Sequence, residues 1–135
     1  MRYTVLIDGE AGGYGVVFPD LPGCTAMGST LDGALANAAD AARDWAGAVE
    51  SRGGTVPAPS PVERLREDVE VARALAEGAA LGSVVVLRET GRSVKANLSL
   101  DTGVLAAIDA AAERLRITRS ATVELLAKQG LPRLS

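Results

Sequence analysis

A short alternating strand in residues 92–131 constrains the fold of this chain more than any other feature. From residue 94 to residue 100 apolar and polar side chains alternate, with Val94, Ala96, Leu98 and Leu100 on one face and Lys95, Asn97 and Ser99 on the other. This pattern is typical of a half-buried strand. A strand without a neighbour leaves its N–H and C=O groups unpaired, and a segment of about 40 residues builds a poor core alone. We therefore expect two chains to pair these strands antiparallel about a two-fold axis.

Two helices follow the strand. A start signal at Asp101 and Thr102 predicts a first helix that reaches about Arg114. A second helix is predicted from Thr118 to Gly130, just ahead of a proline. In the expected dimer the apolar strand faces pack onto four helices, and the polar faces form a two-stranded ribbon. A ribbon of this kind fits the major groove of DNA.

Residues 94 to about 131 resemble the ribbon-helix-helix family of repressors without a gap. In that family the outward side chains of the strand read base edges, and the matching residues here are Lys95, Asn97 and Ser99. Lysine donates to guanine, asparagine pairs with adenine, and serine donates or accepts. The family's second helix aims its N-terminal amides at a phosphate, and the matching residues are Thr118, Arg119 and Ser120.

The same features also have a purely structural interpretation, without DNA binding. A polar strand face is often merely solvated, and threonine at a helix start is often only a cap. A shift of the strand register by one residue would also turn Ala96 and Leu98 outward. The combined order of strand, helix, three-residue turn and Thr-Arg-Ser helix start is what favours DNA binding.

Composition excludes several classes of function. A chain of 135 residues, 47% hydrophobic and 23% charged, has an ordinary globular profile and fits one domain or two small ones. The absence of histidine excludes Ser-His-Asp and Cys-His nucleophiles and histidine-bound zinc. Cys24 is the one cysteine, so no internal disulfide forms. No apolar run approaches the length of a membrane span and no secretory signal is recognisable, so we expect a cytoplasmic protein without a membrane span.

Charge is distributed unevenly along the chain. Residues 1–82 carry 6 Lys and Arg against 12 Asp and Glu, a net charge of −6. Residues 83–135 carry 8 against 5, a net charge of +3, and the two parts sum to the −3 of the whole chain. A phosphate polyanion is attracted by the second part and repelled by the first. The acidic part suits a basic protein partner.

The first part of the chain predicts a small sheet and a long helix. Residues 2–8 and 14–20 form a hairpin around a glycine-rich turn, and residues 24–28 form a third strand. Ser29 and Asp32 match a capping box at the start of a helix that ends by residues 53–54. Its predicted apolar stripe consists of Leu31, Leu35, Ala38, Ala42, Trp45 and Val49.

The region after this helix is irregular. TVPAPSP reads as an extended connector, and residues 61–79 read as another helix. Residues 83–89, SVVVLRE, form a β-branched run that suits a buried or central strand. Residues 90–93 resemble a hinge between domains.

The stretch GGYGVVFPDLPGCTAMGSTLDGALANAADAARDWA resembles the N-terminal domain of HicB-type antitoxins, with its hairpin, P-D-L-P-G-C turn, Gly-Ser-Thr cap and alanine-rich helix. The resemblance implies an α+β protein. Residues 1–90 would form a truncated ribonuclease-H-like β-β-β-α-β domain that masks a HicA-type mRNA-cleaving toxin. Residues 91–135 would form a ribbon-helix-helix dimerisation domain that binds operator DNA and represses the operon. The implied assembly is a homodimer, with a tetramer as an alternative, and no cofactor.

Two further expectations concern the first domain. Tyr14 and Phe18 are candidate partner-binding aromatics, with a core role as the alternative. The fold resemblance raises two-metal nuclease chemistry, which needs several convergent carboxylates. The sequence offers Asp8 at a strand end and Asp20 in a proline turn, so we expect no metal site and no enzyme. A ribbon-helix-helix repressor whose first domain senses a small ligand remains the alternative function.

Overall fold

The computed structural model describes residues 1–134, which divide into two compact units. The first unit comprises Met1–Arg88 together with the C-terminal residues from Pro132, and the second comprises Glu89–Leu131. The first contains a four-stranded antiparallel sheet with helices, and the second contains two helices. The predicted mixed α+β class is confirmed.

The sheet consists of β1 (Arg2–Glu10), β2 (Gly13–Val17), β3 (Thr25–Gly28) and β4 (Ala80–Val85). Their order across the sheet is β3-β2-β1-β4, with every neighbouring pair antiparallel. The predicted hairpin of β1 and β2 and the third strand are confirmed. The two central strands are therefore adjacent in sequence.

The fourth strand corrects one prediction. It spans Ala80–Val85 rather than residues 83–89, and of the two alternatives, a buried or a central strand, the central one is wrong because β4 lies at an edge of the sheet. Val84 and Val86 are nevertheless buried. A β-branched run reports that one face of a strand is covered, and it carries no information on how many neighbouring strands it pairs with.

Helix α1 (Leu31–Ser51) packs against one face of the sheet. The Thr30 hydroxyl caps it by accepting a hydrogen bond from the Gly33 amide at 3.0 Å, so the predicted Ser29 capping box is wrong. Thr30 is the residue whose extended backbone aims its side chain at the free amides. The helix ends where predicted, with Arg52 as its C-cap and Gly53 in a left-handed conformation.

The buried face of α1 also differs from the predicted stripe. Leu31 is 42% exposed, and the buried residues of α1 are Ala34, Ala38, Ala39, Ala42 and Ala46, of which Ala38 and Ala42 belong to the predicted stripe. Leu35 and Trp45 are only partly buried at the margin of the core. Only methyl side chains fit here because helix and sheet approach closely. At Gly28 on β3, a Cβ atom would lie 2.5 Å from the Ala34 backbone nitrogen.

The core of the first unit lies between α1 and the sheet. Tyr3, Val5 and Val16 are buried against the alanines, and the rings of Tyr3 and Phe18 meet edge to face with centroids 6.2 Å apart. The Tyr3 hydroxyl donates to the Pro57 carbonyl oxygen, and burial raises the pKa of this phenol. The hydroxyl thereby holds the proline-rich connector against the core.

The connector is fixed at a second point and leads into two short helices. The Asp20 carboxylate accepts hydrogen bonds from the Ser60 amide at 2.8 Å and the Ser60 hydroxyl at 2.7 Å. The one helix predicted over residues 61–79 is instead α2 (Val62–Leu65) and α3 (Val69–Ala76). The break occurs because Asp68 has extended backbone and caps α3 with its own carboxylate.

The second unit contains helices α4 (Thr102–Leu115) and α5 (Arg119–Gly130), and a 3-10 turn, Leu131–Leu134, follows α5. Asp101 caps α4, and Arg116, with φ of 57°, turns the chain between the helices. Both helices begin where the sequence predicts them. No helix in residues 1–134 has the length and apolar character needed to cross a membrane.

Gly28→Ala should lower the free energy of unfolding by about 1–3 kcal/mol, because the added methyl group meets the backbone of α1. Gly47→Ala is the matched control: it lies on α1 with open space around it, and alanine should raise helix stability by about 0.5–1 kcal/mol. Urea unfolding followed by circular dichroism measures both. Equal effects of the two substitutions would contradict the close approach.

Candidate functional site

The segment predicted as a strand is uncovered in the single chain. Residues 92–100 pair with no other strand among the residues described, and both faces of the alternation are exposed. The large apolar side chains are prominent, with Val94 90%, Leu98 67% and Leu100 42% exposed. Lys95, Asn97 and Ser99 are exposed as well. Residues 1–134 of one chain therefore supply neither a backbone partner nor a cover for the apolar face.

An apolar groove of about 450 Å³ lies between this segment and helix α5. Its apolar lining comes from Val94, Ala96, Leu98, Leu100, Leu105 and Val123. Its polar lining comes from Asn97, Arg119, Ser120 and Glu124. All four apolar residues of the alternation therefore line the groove, and of the three polar ones only Asn97 does.

The N-terminus of α5 leaves backbone donors free. The Thr118 hydroxyl caps the helix by accepting from the Ala121 amide at 3.0 Å, and the Thr122 hydroxyl donates to the Thr118 carbonyl at 2.9 Å. The amides of Arg119 and Ser120 donate to no other residue in the described part of the chain. Free amides at the positive end of a helix can bind an anion such as a phosphate.

Arg119 has a partner that sequence reasoning missed. Its Nε and Nη2 donate to the two carboxylate oxygens of Asp109 at 2.8 and 3.0 Å. The hydrogen bonds from Arg119 lower the pKa of the Asp109 carboxyl, and the same pair raises the pKa of the guanidinium. Asp109 lies on α4 and Arg119 at the start of α5, so helical periodicity gives no signal for the contact. The pair neutralises the charge of Arg119 but leaves other N–H groups of the guanidinium free.

The two aromatic residues proposed for partner binding differ in position. Phe18 is 1% exposed and packs on Tyr3, so its assignment as a surface anchor is wrong and its ring belongs to the core. Tyr14 is half-buried at the margin of the core and remains partly accessible. The alternation of β2 places Tyr14 and Val16 on the face that α1 covers, and Phe18 follows directly after the strand.

The two acidic residues considered for catalysis, Asp8 and Asp20, have different environments. Both oxygens of Asp20 accept hydrogen bonds from Ser60, and Asp8 is exposed on β1. Within residues 1–134, no three His, Cys, Asp or Glu side chains lie close enough together to hold a metal ion. The Cys24 thiol is buried, which raises its pKa and favours the neutral form. The Asp20 contacts serve to hold the connector.

Residues 3–128 match the model of a family described as the HicB_like antitoxin of bacterial toxin-antitoxin systems. The antitoxin HicB of Burkholderia pseudomallei is 28% identical, with 97% of this chain and 98% of that one covered and a TM-score of 0.53. A structure titled antitoxin HicB3 is 29% identical over 95% of this chain and 96% of that one, with a TM-score of 0.54.

A HicA3 and HicB3 toxin-antitoxin complex is also similar, at 29% identity and a TM-score of 0.55, covering 65% of this chain and all of the matched one. No curated protein sequence matches the chain.

Thr118→Ala should lower the free energy of unfolding of the unit that contains α5 by about 1 kcal/mol, because the Ala121 amide loses its cap. Thr118→Ser retains the hydroxyl and should stay near the native stability. Thermal unfolding of both variants checks the prediction. Equal loss in the serine variant would mean that the methyl group of Thr118, rather than its oxygen, stabilises the turn.

Proposed function

The chain belongs to the family of HicB-like antitoxins of bacterial toxin-antitoxin systems, and from this premise we propose that it neutralises a HicA-type mRNA-cleaving toxin and represses its own operon. The observation that carries the proposal is the family match, because residues 3–128 span both units of the structure. The chain acts as a binding protein in this proposal, without catalysis of its own.

Toxin binding is assigned to residues 1–90, as a truncated ribonuclease-H-like domain. The similarity to a HicA3 and HicB3 toxin-antitoxin complex supports a toxin as the partner, since one chain of that complex matches 65% of this chain at 29% identity. Charge supports it as well. The net charge of −6 over residues 1–82 suits a small basic protein that otherwise binds RNA.

DNA binding is assigned to residues 91–135, as a ribbon-helix-helix domain in a homodimer, with a tetramer as the alternative assembly. Two chains would pair residues 94–100 antiparallel, which satisfies the backbone groups of the segment and buries its apolar face. The exposure of Val94, Leu98 and Leu100 in the single chain supports this pairing, because large apolar side chains in contact with water favour association.

The proposed DNA contacts fall into two groups. The polar face of the ribbon, with Lys95, Asn97 and Ser99, would read base edges in the major groove. The N-terminus of α5, with Thr118, Arg119 and Ser120, would hold a backbone phosphate. The free amides of Arg119 and Ser120 support the second group, since a phosphate would accept from both.

The experiment is co-expression of the full chain with the small protein encoded beside it, followed by a gel shift on the promoter of the same operon. A stable complex that suppresses RNA cleavage and shifts the promoter is the expected result. A promoter shift by a chain that binds no toxin would favour the ligand-sensing repressor instead. Absence of both activities would contradict the proposal.

Lys95→Ala and Asn97→Ala should each weaken specific operator binding by about 1–3 kcal/mol, because each removes a base contact. Toxin binding should be unchanged, since both residues lie in the second unit. Lys128→Ala is the matched charge control for Lys95→Ala. Lys128 lies in the last turn of α5, at the end opposite the proposed phosphate site, and forms an ion pair with Glu89. Fluorescence anisotropy with operator and with unrelated DNA measures the loss. A uniform loss on both DNAs would assign these residues to the phosphate backbone.

Asp109→Asn should strengthen DNA binding and steepen its salt dependence by about one unit of slope, because Arg119 then offers its full charge to a phosphate. Asp40→Asn is the control, since it removes the same charge from an exposed ion pair with Arg43 on α1. Adding Arg119→Ala to Asp109→Asn should abolish the gain. An unchanged slope in all three variants would remove Arg119 from the DNA contact.

A further inference from the structure

The face of the sheet opposite α1 carries a second set of side chains. Along β1, Tyr3 and Val5 point toward α1. Because side chains alternate along a strand, Leu6 and Asp8 lie on the opposite face. The strand register extends this face across the sheet. Leu6 stands opposite Leu81 on β4 and Val17 on β2, and the next row joins Asp8, Gly15 and Met27.

A groove of about 660 Å³ lies on this face, between the sheet and helices α2 and α3. Leu6 and Val17 line its sheet side, and Leu65, Val71 and Ala74 line its helix side. Leu65 and Val71 are buried, so the helical wall is anchored. The apolar surface continues beyond the groove, from Val17, which is 41% exposed, to Met27 on the adjacent strand, which is 72% exposed.

The rim of the groove is acidic. Asp8, Asp20, Asp68 and Glu70 line it against one cation, Arg64. Asp20 and Asp68 accept hydrogen bonds from their own chain and are held in place. Asp8 and Glu70 have no cation within ion-pair distance among residues 1–134. Two carboxylates at this rim therefore lack a counter-charge.

The register fixes one of these carboxylates over the sheet. Asp8 stands opposite Gly15, and a Cβ atom on Gly15 would lie 2.5 Å from the Asp8 carboxylate oxygen. The side chain of Asp8 therefore occupies the space that Gly15 leaves on β2. This places a negative charge directly beside the exposed apolar strip of Val17 and Met27.

We infer that this groove, with its acidic rim and the adjoining strip, is the surface that docks the basic partner. It fits a protein segment that presents an aliphatic side chain flanked by lysine or arginine. The aliphatic group enters between the sheet and α3, and the cations meet Asp8 and Glu70. The inference rests on the proposed toxin binding and locates it. The apolar strip and the two unpaired carboxylates together favour a cationic protein over a nucleic acid, whose phosphates this rim repels.

The test compares two double variants of the full chain that change net charge equally. Asp8→Lys with Glu70→Lys reverses the rim, and Asp32→Lys with Asp44→Lys reverses two exposed acids of α1. Asp32 and Glu70 each lie in the first turn of a helix, so the cost to helix stability is matched. The probe is a catalytically inactive form of the HicA-type toxin encoded by the adjacent gene.

The rim variant should bind this toxin at least about tenfold more weakly, mainly through slower association, and the α1 variant should stay within about threefold of the native chain. Val17→Ser, at a partly exposed position, should also weaken binding while the native charge is kept. It keeps the inference testable if the rim variant does not fold, as judged by circular dichroism and operator binding.

The outcomes distinguish failure of the proposed toxin binding from failure of the proposed docking groove. A native chain that does not bind the toxin contradicts the proposed function. A native chain that binds, with equal loss in the two double variants, means that only net charge acts and overturns the groove. Native affinity in both the rim variant and Val17→Ser, or selective loss in the α1 variant, overturns it as well.

Discussion

The close approach of α1 to the sheet is the constraint on which the first unit depends. Alanine side chains at the contact and Gly28 on β3 allow the two backbones to come within reach of each other. Larger side chains, such as those of Leu35 and Trp45, are displaced to the margins of the contact. The core consequently relies on Tyr3 and Phe18 for volume, which leaves few aromatic side chains for surface recognition.

Helix α1 covers only one face of the sheet, so other elements must cover the apolar side chains on the opposite face. Helices α2 and α3 cover part of this face. The hydrogen bonds of Tyr3 and Asp20 fix the connector that leads to these helices. The remaining part stays open and combines apolar and acidic groups. One small sheet thus has a covered face that stabilises the fold and a partly open face that we propose for recognition.

The second unit poses the opposite problem, because its segment of residues 92–100 is incomplete as a single copy. Its apolar side chains line a groove on α5 without filling it, and its backbone has no ladder partner in the described chain. A second copy would both cover the apolar side chains and pair the backbone, which is the physical basis of the proposed dimer. The ion pair of Asp109 with Arg119 reduces the positive charge at the start of α5, which is the helix end proposed for phosphate binding.

The sequence by itself determined the features that depend on neighbouring residues. Asp101 and Thr118 begin helices as predicted, because a capping side chain needs only the next few amides. The alternation of β1 and β2 and the turn between them likewise identify the hairpin. Even the local rules fail where two candidates stand side by side, as Ser29 and Thr30 do, because the backbone angle decides between them.

Only the tertiary structure decided which residues meet across elements. The edge position of β4, the alanine face of α1, the burial of Phe18 and the pairing of Asp109 with Arg119 all depend on contacts between segments distant in sequence or on different helices. The acidic groove is the same kind of feature, since its lining comes from β1, β2, α2 and α3. Periodicity assigns a residue to a face of its own element, whereas packing selects the element that this face meets.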